Sequence, residues 1–208
     1  MYMMNNLDKK RRDEILDFWF GELKEGEFPD EKRKMWWIKD TDFDNDIKSN
    51  FESDLISAKK GELKNWEDSP RGSLALLILL DQFSRNIYRD TEQSFAQDQM
   101  ALDVCIRGLQ KNFDKILHPV ERAFYYIPFM HCEDLDMQKK SIEFYSALAE
   151  EFSSNLSLSD MLSQNKLFAE KHYVIIKKFG RYPHRNKILG RTSTPEEIKF
   201  LQEPGSSF

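Results

Sequence analysis

Seven consecutive apolar residues, Leu74 to Leu80, follow a Ser69-Pro70 pair. Ser is a favoured helix N-cap and Pro suits the first helical position, so a helix starts here. A helix apolar on every side is buried on every side, so the rest of the chain must wrap around this one. Its second half changes character. Asp81, Arg85 and Arg89 recur every fourth residue, with Gln82 and Asn86 beside them, while Phe83 and Ile87 continue the buried stripe. Asp81 and Arg85 form an ordinary i,i+4 pair. Buried polar groups need partners, so this face must meet polar groups from elsewhere in the chain.

The rest of the chain also reads as helix, because apolar residues recur at helical spacing and period-two alternation is nearly absent. A first helix covers Leu7 to Phe20, with Ile15, Leu16, Trp19 and Phe20 buried and Gly21 as its stop. Residues 22–39 form a loop with one short helix carrying Trp36 and Trp37, a hydrophobic lid on the core. Phe43, Ile47, Phe51 and Leu55 share a stripe after a Thr41 or Asp42 cap, and Gly61 ends that helix. Further helices are expected over Thr91 to Asn112, from His118-Pro119 to a break at Pro128, over Leu135 to Phe152, and over Leu158 to Phe179 with Gly180 as cap. Phe95 is expected inward in the first of these, and Leu167 and Val174 in the last. Pro183 starts a short helix ending near Gly190. Thr194-Pro195-Glu196-Glu197 is a capping box for a last helix to Gln202, after which Phe208 docks the tail. The expected class is all-α: antiparallel helical hairpins in a tetratricopeptide-like, right-handed stack. One domain over 1–208 is expected, with an N-terminal helix and Trp loop (5–40), a helical core (41–180) and a basic motif with a short helix and tail (181–208).

Composition excludes several function classes. A net charge of -5 and a pI near 5.5 argue against nucleic acid or an anionic membrane as partner. The longest apolar run falls far short of the ~20 residues of a membrane span. The opening stretch has acids at Asp13, Glu14 and Asp17, unlike a secretory signal. Cys105 and Cys132 have no metal or redox spacing and read as reduced thiols, so a cytoplasmic protein is expected.

Three constellations carry chemistry. The first is a basic block. From Lys177 to Arg191 there are six Lys or Arg and no Asp or Glu. Arg181, His184, Arg185, Asn186 and Arg191 suit a carboxylate or phosphate, since Arg forks bind such anions bidentately. The Pro183 helix start would add free N–H groups. The bland alternative is an internal salt-bridge network pinning the C-terminal segment to the core. The second constellation is the polar face of the central helix, with Arg85 and Asn86 as ligand contacts. The third is His131, Glu133, Asp134 and Gln138. If helical, His131, Asp134 and Gln138 share one stripe. An imidazole with carboxylates can act as an acid–base couple or bind a metal. His131, His172 and His184 are the candidate metal ligands, though no spacing matches a zinc signature; structural, hydrogen-bonded histidines are the alternative. There is no nucleophile elbow, phosphate loop or dinucleotide motif, so no cofactor is expected.

Three stretches, SPRGSLALLILLDQFSRNIYRDT, FYYIPFMHCEDLDMQ and FGRYPHRNKILGRTSTPEE with the closing SSF, resemble the bacterial domain-of-unknown-function family 924 of the tetratricopeptide-like superfamily. The early FWFG and WW pieces fit as well. The resemblance implies an all-α domain and no established activity. The positions it carries over are Asp81, Gln82, Arg85, Asn86, His131, Glu133, Asp134, Arg181, His184, Arg185, Asn186 and Arg191. Ser84, Cys132 and Tyr182 stand where the family more often has Pro, Ser and Phe.

The leading expectation is a pocket between the central helix and the basic block that holds a small anion or an acidic peptide end. Arg85, Arg181, Arg185 and Arg191 supply charge, and Asn86, Asn186 and His184 orient the ligand. The rival is a hydrolase with His131 as base, oriented by Glu133 or Asp134, with or without a metal. A third reading is a protein-interaction module using an exposed groove near Trp36 and Trp37.

Overall fold

A computed structural model of the protein describes residues 6–207; Met1–Asn5, Phe208 and the expected docking of Phe208 lie outside it. The described residues form helices joined by turns and loops, with no strand among them, as expected of an all-α fold. Helix α1 (Asn6–Phe20) buries Ile15, Leu16, Trp19 and Phe20 and stops at Gly21, whose φ is 67°. Helix α2 (Asp30–Trp37) sets Trp36 Nε1–H on the carbonyl of Trp19 at 3.0 Å. Trp37 stays largely exposed and stacks on Phe124 at a centroid distance of 6.0 Å. Helix α3 (Thr41–Lys59) buries the expected stripe from Phe43 to Leu55. Its cap is Asp40 rather than Thr41 or Asp42; the Asp40 carboxylate accepts from the N–H of Asp42 and of Phe43.

The central helix begins as α4 (Pro70–Leu77), with Ser69 Oγ accepting from the N–H of Gly72. Every residue from Leu74 to Leu80 is at most 3% exposed, so the segment is indeed surrounded. Helices α1, α6 (Asp98–Gln110) and α7 (Pro119–Tyr125) pack on α4, and α3 packs on the turn that follows it. The segment is not one uninterrupted α-helix. Ile78–Phe83 is a π-type turn, after which α5 (Ser84–Ile87) resumes the α form. The wider turn carries Asp81 and Gln82 inside the protein. Such bulges are rare and recur at functional sites.

Helix α6 (Asp98–Gln110) starts later than the expected Thr91. Tight i→i+3 bonds, Ser94 N to Thr91 O and Phe95 N to Glu92 O, hold the preceding stretch in a 3-10 turn instead. Phe95 therefore meets arginines rather than the apolar core. Helix α7 (Pro119–Tyr125) opens on a capping box of His118 and Glu121. Helix α8 (Ile127–His131) ends at the histidine, and Cys132 is extended. His131, Asp134 and Gln138 therefore do not share a helical stripe, and Asp134 instead caps α9 (Leu135–Glu151). Helix α10 (Ser159–Phe179) packs against α9 and ends at Gly180 with φ 70°. Leu162, Ala169, Ile175 and Ile176 are its buried face, whereas Leu167 and Val174, expected inward, are exposed. The expected Pro183–Gly190 helix is only a 3-10 turn, Pro183–Arg185. Helix α11 (Pro195–Phe200) follows the Thr194–Glu197 capping box.

Candidate functional site

The π-type turn, the end of α8, the start of α6 and the segment after α10 meet at one polar cluster. Asp81 lies at its base, 1% exposed. Its Oδ2 accepts a hydrogen bond from His131 Nδ1 at 2.8 Å, and its Oδ1 accepts from Gln82 Nε2 at 2.7 Å. Arg85 Nη1 donates to the Asp81 backbone carbonyl at 2.9 Å and stands 3.5 Å from Oδ1. Burial alone would raise the Asp81 carboxyl, but Arg85 and His131 outweigh it and hold the group below the ordinary carboxylate range. Burial and then the charge of Arg85 push His131 below the usual imidazole value. At neutral pH the pair is thus carboxylate and neutral imidazole. A carboxylate can only accept, so Nδ1 carries the proton and Nε2 is the bare nitrogen. No group among the described residues bonds to Nε2, and the His131 side chain is 18% exposed.

Asp98, at the start of α6, is the second anchor. Arg85 Nη2 donates to Asp98 Oδ2 at 3.0 Å, and Arg185 Nη1 donates to the same oxygen at 2.9 Å. Two guanidinium groups therefore share one carboxylate oxygen. The Arg185 carbon lies 4.6 Å from the ring centroids of both Phe95 and Tyr182, close enough for cation–π attraction to each. Arg185 is 6% exposed. Its Nε is buried with no hydrogen-bond partner, and its Nη2 donates to nothing among the described residues. The Nε–Nη2 edge, which matches a carboxylate side-on, is thus unclaimed. Burial lowers Arg185, with Asp98 acting the other way.

Three histidines form a chain of ring neighbours with Tyr182. The His131 and His172 ring centroids are 6.4 Å apart, and Tyr182 lies 5.6 Å from His172 and 5.5 Å from His184. Burial pushes His172 down to about 3 and His184 down to about 4, and neighbouring cationic groups add to both shifts. Among the described residues no three His, Cys, Asp or Glu side chains converge closely enough to hold a metal ion, so His131, His172 and His184 form no such set.

The other expected site residues are engaged elsewhere. Arg191 makes a two-pronged pair with Glu133 at 2.7 and 2.9 Å, and Glu133 also accepts from the N–H of Tyr182. Burial opposes the Glu133 charge, but these bonds outweigh it and lower its carboxyl. Arg181 pairs with Glu197 in the same two-pronged way, and Asn186 donates to Ser193 and Glu197. Asn86 and Arg89 both donate to Asp44 on α3. His131 is therefore oriented by Asp81, not by Glu133 or Asp134. The three-residue turn at Pro183 adds no anion-binding helix end, and its leading N–H, that of Tyr182, goes to Glu133. The marked surface depressions, about 320 Å³ along α10 against Phe200 and about 440 Å³ on α1, lie away from the cluster.

Sequence reasoning missed Asp98, Phe95 and Tyr182. The signal for Asp98 was present, because an acid-free basic block demands an outside carboxylate. Tyr182 is fully buried beside Arg185. Its hydroxyl donates to the Met130 carbonyl, and Gln138 Nε2 donates to the Tyr182 oxygen and to the carbonyls of Met130 and Cys132.

Comparison with known proteins places these residues in a family. No curated protein matches the chain. A solved structure of a protein of unknown function from Agrobacterium tumefaciens, ATU0120, is similar with a TM-score of 0.78 and 31% identity, over 93% of this chain and 98% of that one. The family model described as "Bacterial protein of unknown function (DUF924)" matches residues 15–205. With nearly its whole length matched, the chain belongs to the DUF924 family.

Proposed function

We propose that this protein binds a small carboxylate, free or at the end of a peptide, on the Nε–Nη2 edge of Arg185. The observation that carries the reading is that edge: a guanidinium held within 4.6 Å of the ring centroids of Phe95 and Tyr182, with a buried donor that no described residue satisfies. Buried polar groups are almost always satisfied by protein, water or ligand. Asp98 engages Nη1, so the opposite edge is left to the ligand. Arg85 stands beside it, joined to Arg185 through Asp98. The remaining arginines of the basic block are the scaffold that holds the segment in place. A cytoplasmic setting goes with this proposal, supported by two cysteines that are both free thiols. So does a tetratricopeptide-like stack, supported by the packed α9–α10 hairpin.

Thermal denaturation against acetate, succinate and phosphate, with neutral succinamide as control, tests the reading. A ligand at a hundred times its dissociation constant adds about 2.7 kcal/mol of stability. Succinate is expected to raise the melting temperature saturably and succinamide to leave it unchanged. Arg185→Lys keeps the charge but loses the planar fork and should abolish the shift. If no anion shifts the melting temperature, Arg185 serves only the internal network.

A further inference from the structure

The Asp81–His131 pair has a chemistry that anion binding leaves unused. One imidazole nitrogen is locked onto a fully buried carboxylate at 2.8 Å. The other bears the lone pair, bonds to no described group and belongs to a partly exposed ring. This division, one nitrogen oriented and one presented, is what a general base requires. Asp81 is itself fixed by Gln82 and Arg85, so the imidazole has little freedom to turn. Asp81 sits in a π-type turn of an otherwise regular helix, a local departure that burying apolar surface alone would not call for, and His131 reaches it from the end of α8.

The neighbouring groups point to water as the attacking species. The Cys132 thiol is pushed up to about 11 by burial, far from forming a thiolate at neutral pH. Ser84 Oγ donates to the Gln93 carbonyl. We infer that the site hydrolyses a small ester bearing a carboxylate, with His131 Nε2 as general base toward water and Asp81 as its positioning residue. The choice of substrate class rests on the anion reading above. Arg185, which would hold the distal carboxylate, and His131 belong to one network: Arg185 and Arg85 both donate to Asp98, and Arg85 and His131 both meet Asp81. In the first step Nε2 takes one proton from water as the water oxygen bonds to the ester carbon, and the carbonyl electron pair moves onto its oxygen. In the second step the carbonyl re-forms, the bond to the leaving oxygen breaks, and that oxygen takes the proton from Nε2. One water is consumed, one acid and one alcohol are released, and the dyad returns to its starting state.

The test uses the full chain with mono-4-nitrophenyl succinate, followed by nitrophenolate release, beside neutral 4-nitrophenyl acetate and in parallel with succinate binding. The charged ester should be hydrolysed with a kcat/KM at least ~10-fold above the neutral one, and succinate should inhibit competitively. His131→Gln should lower kcat by about 100-fold or more, the usual worth of a general base. Asp81→Asn should lower kcat with KM held, which a merely structural loss would not do. Cys132→Ser should retain activity. If a variant fails to fold, carbethoxylation of wild-type His131 by diethylpyrocarbonate serves instead: it should abolish hydrolysis, and succinate should protect. Succinate binding without hydrolysis, or hydrolysis untouched by loss of His131, overturns the dyad and leaves the anion reading standing. His131-dependent hydrolysis of both esters alike, without succinate binding, upholds the dyad and overturns the anion reading and its substrate class.

Discussion

Two of the site's histidines give it a pH signature. His172 is held at about 3 and His184 at about 4, chiefly by burial. An unfolded imidazole titrates near ~6.5. Below that value the unfolded chain binds protons that the folded one refuses, so stability falls as pH falls. The contribution is complete above about pH 6.5 and is lost progressively toward the folded values, at up to about 1.4 kcal/mol per pH unit for each histidine. Urea denaturation between about pH 7 and pH 5 should show this slope, and His172→Gln should flatten it. Stability that does not change over that range would contradict the burial of these rings. The pairing of Asp81 with His131 was not legible in the sequence, because the two lie fifty positions apart and nothing local marks either as the other's partner. The polar face on a buried helix was legible, and it correctly demanded partners. Those partners proved to be Asp98 and His131 for Arg85 and Asp81, and Asp44 for Asn86 and Arg89.

Elements were read best where the apolar period is long. The stripes of α1 and α3 follow from 3.6-residue spacing, which needs no tertiary information. The π-type turn and the late start of α6 were not readable, because each is decided by tertiary partners rather than by propensity. Two substitutions test how the elements meet. In α6, Gly108 lies directly against the Tyr125 hydroxyl, so an added Cβ collides with a buried group that is bonded to Ser73. Gly108→Ala gains helix propensity of about 1 kcal/mol, yet overpacking of this kind costs typically ~1–3 kcal/mol. Net destabilisation in denaturant melts is expected; a stabilised variant would mean that α6 and α7 can move apart. At α11, Thr194→Ala removes the acceptor for the Glu197 N–H and should cost about 1 kcal/mol. Because Glu197 also receives Arg181 and Asn186, its own replacement by Gln should cost more than loss of the cap alone. Equal losses would place the strength of this corner in the cap rather than the ion pair.

At the scale of the molecule, the segment from Arg181 to Phe200 is tied to the core by Arg185 to Asp98, by Arg191 and the Tyr182 N–H to Glu133, and by the Tyr182 hydroxyl to the α8 end and Gln138. This is where the sequence reading divides. That the basic block needs carboxylates from the core was legible from charge, and Asp98 and Glu133 supply them; which arginine stays available was not, since that depends on which carboxylates the fold delivers. Breaking a part-buried pair leaves an uncompensated charge and costs up to ~3–5 kcal/mol. Glu133→Gln should therefore raise amide exchange across 181–200 while leaving α4 protected. Uniform loss of protection would instead make this segment part of the global folding unit. The central claim is that Arg185 offers an anion site beside an oriented imidazole. Nitrogen-detected NMR of the histidine side chains, with and without succinate, tests it most directly. His131 should appear as the Nδ1–H tautomer, and its Nε2 signal should move with succinate. His118, whose Nδ1 accepts from Val120, should show the opposite tautomer and stay still. An Nε2–H tautomer at His131, or a signal indifferent to succinate, would contradict the account.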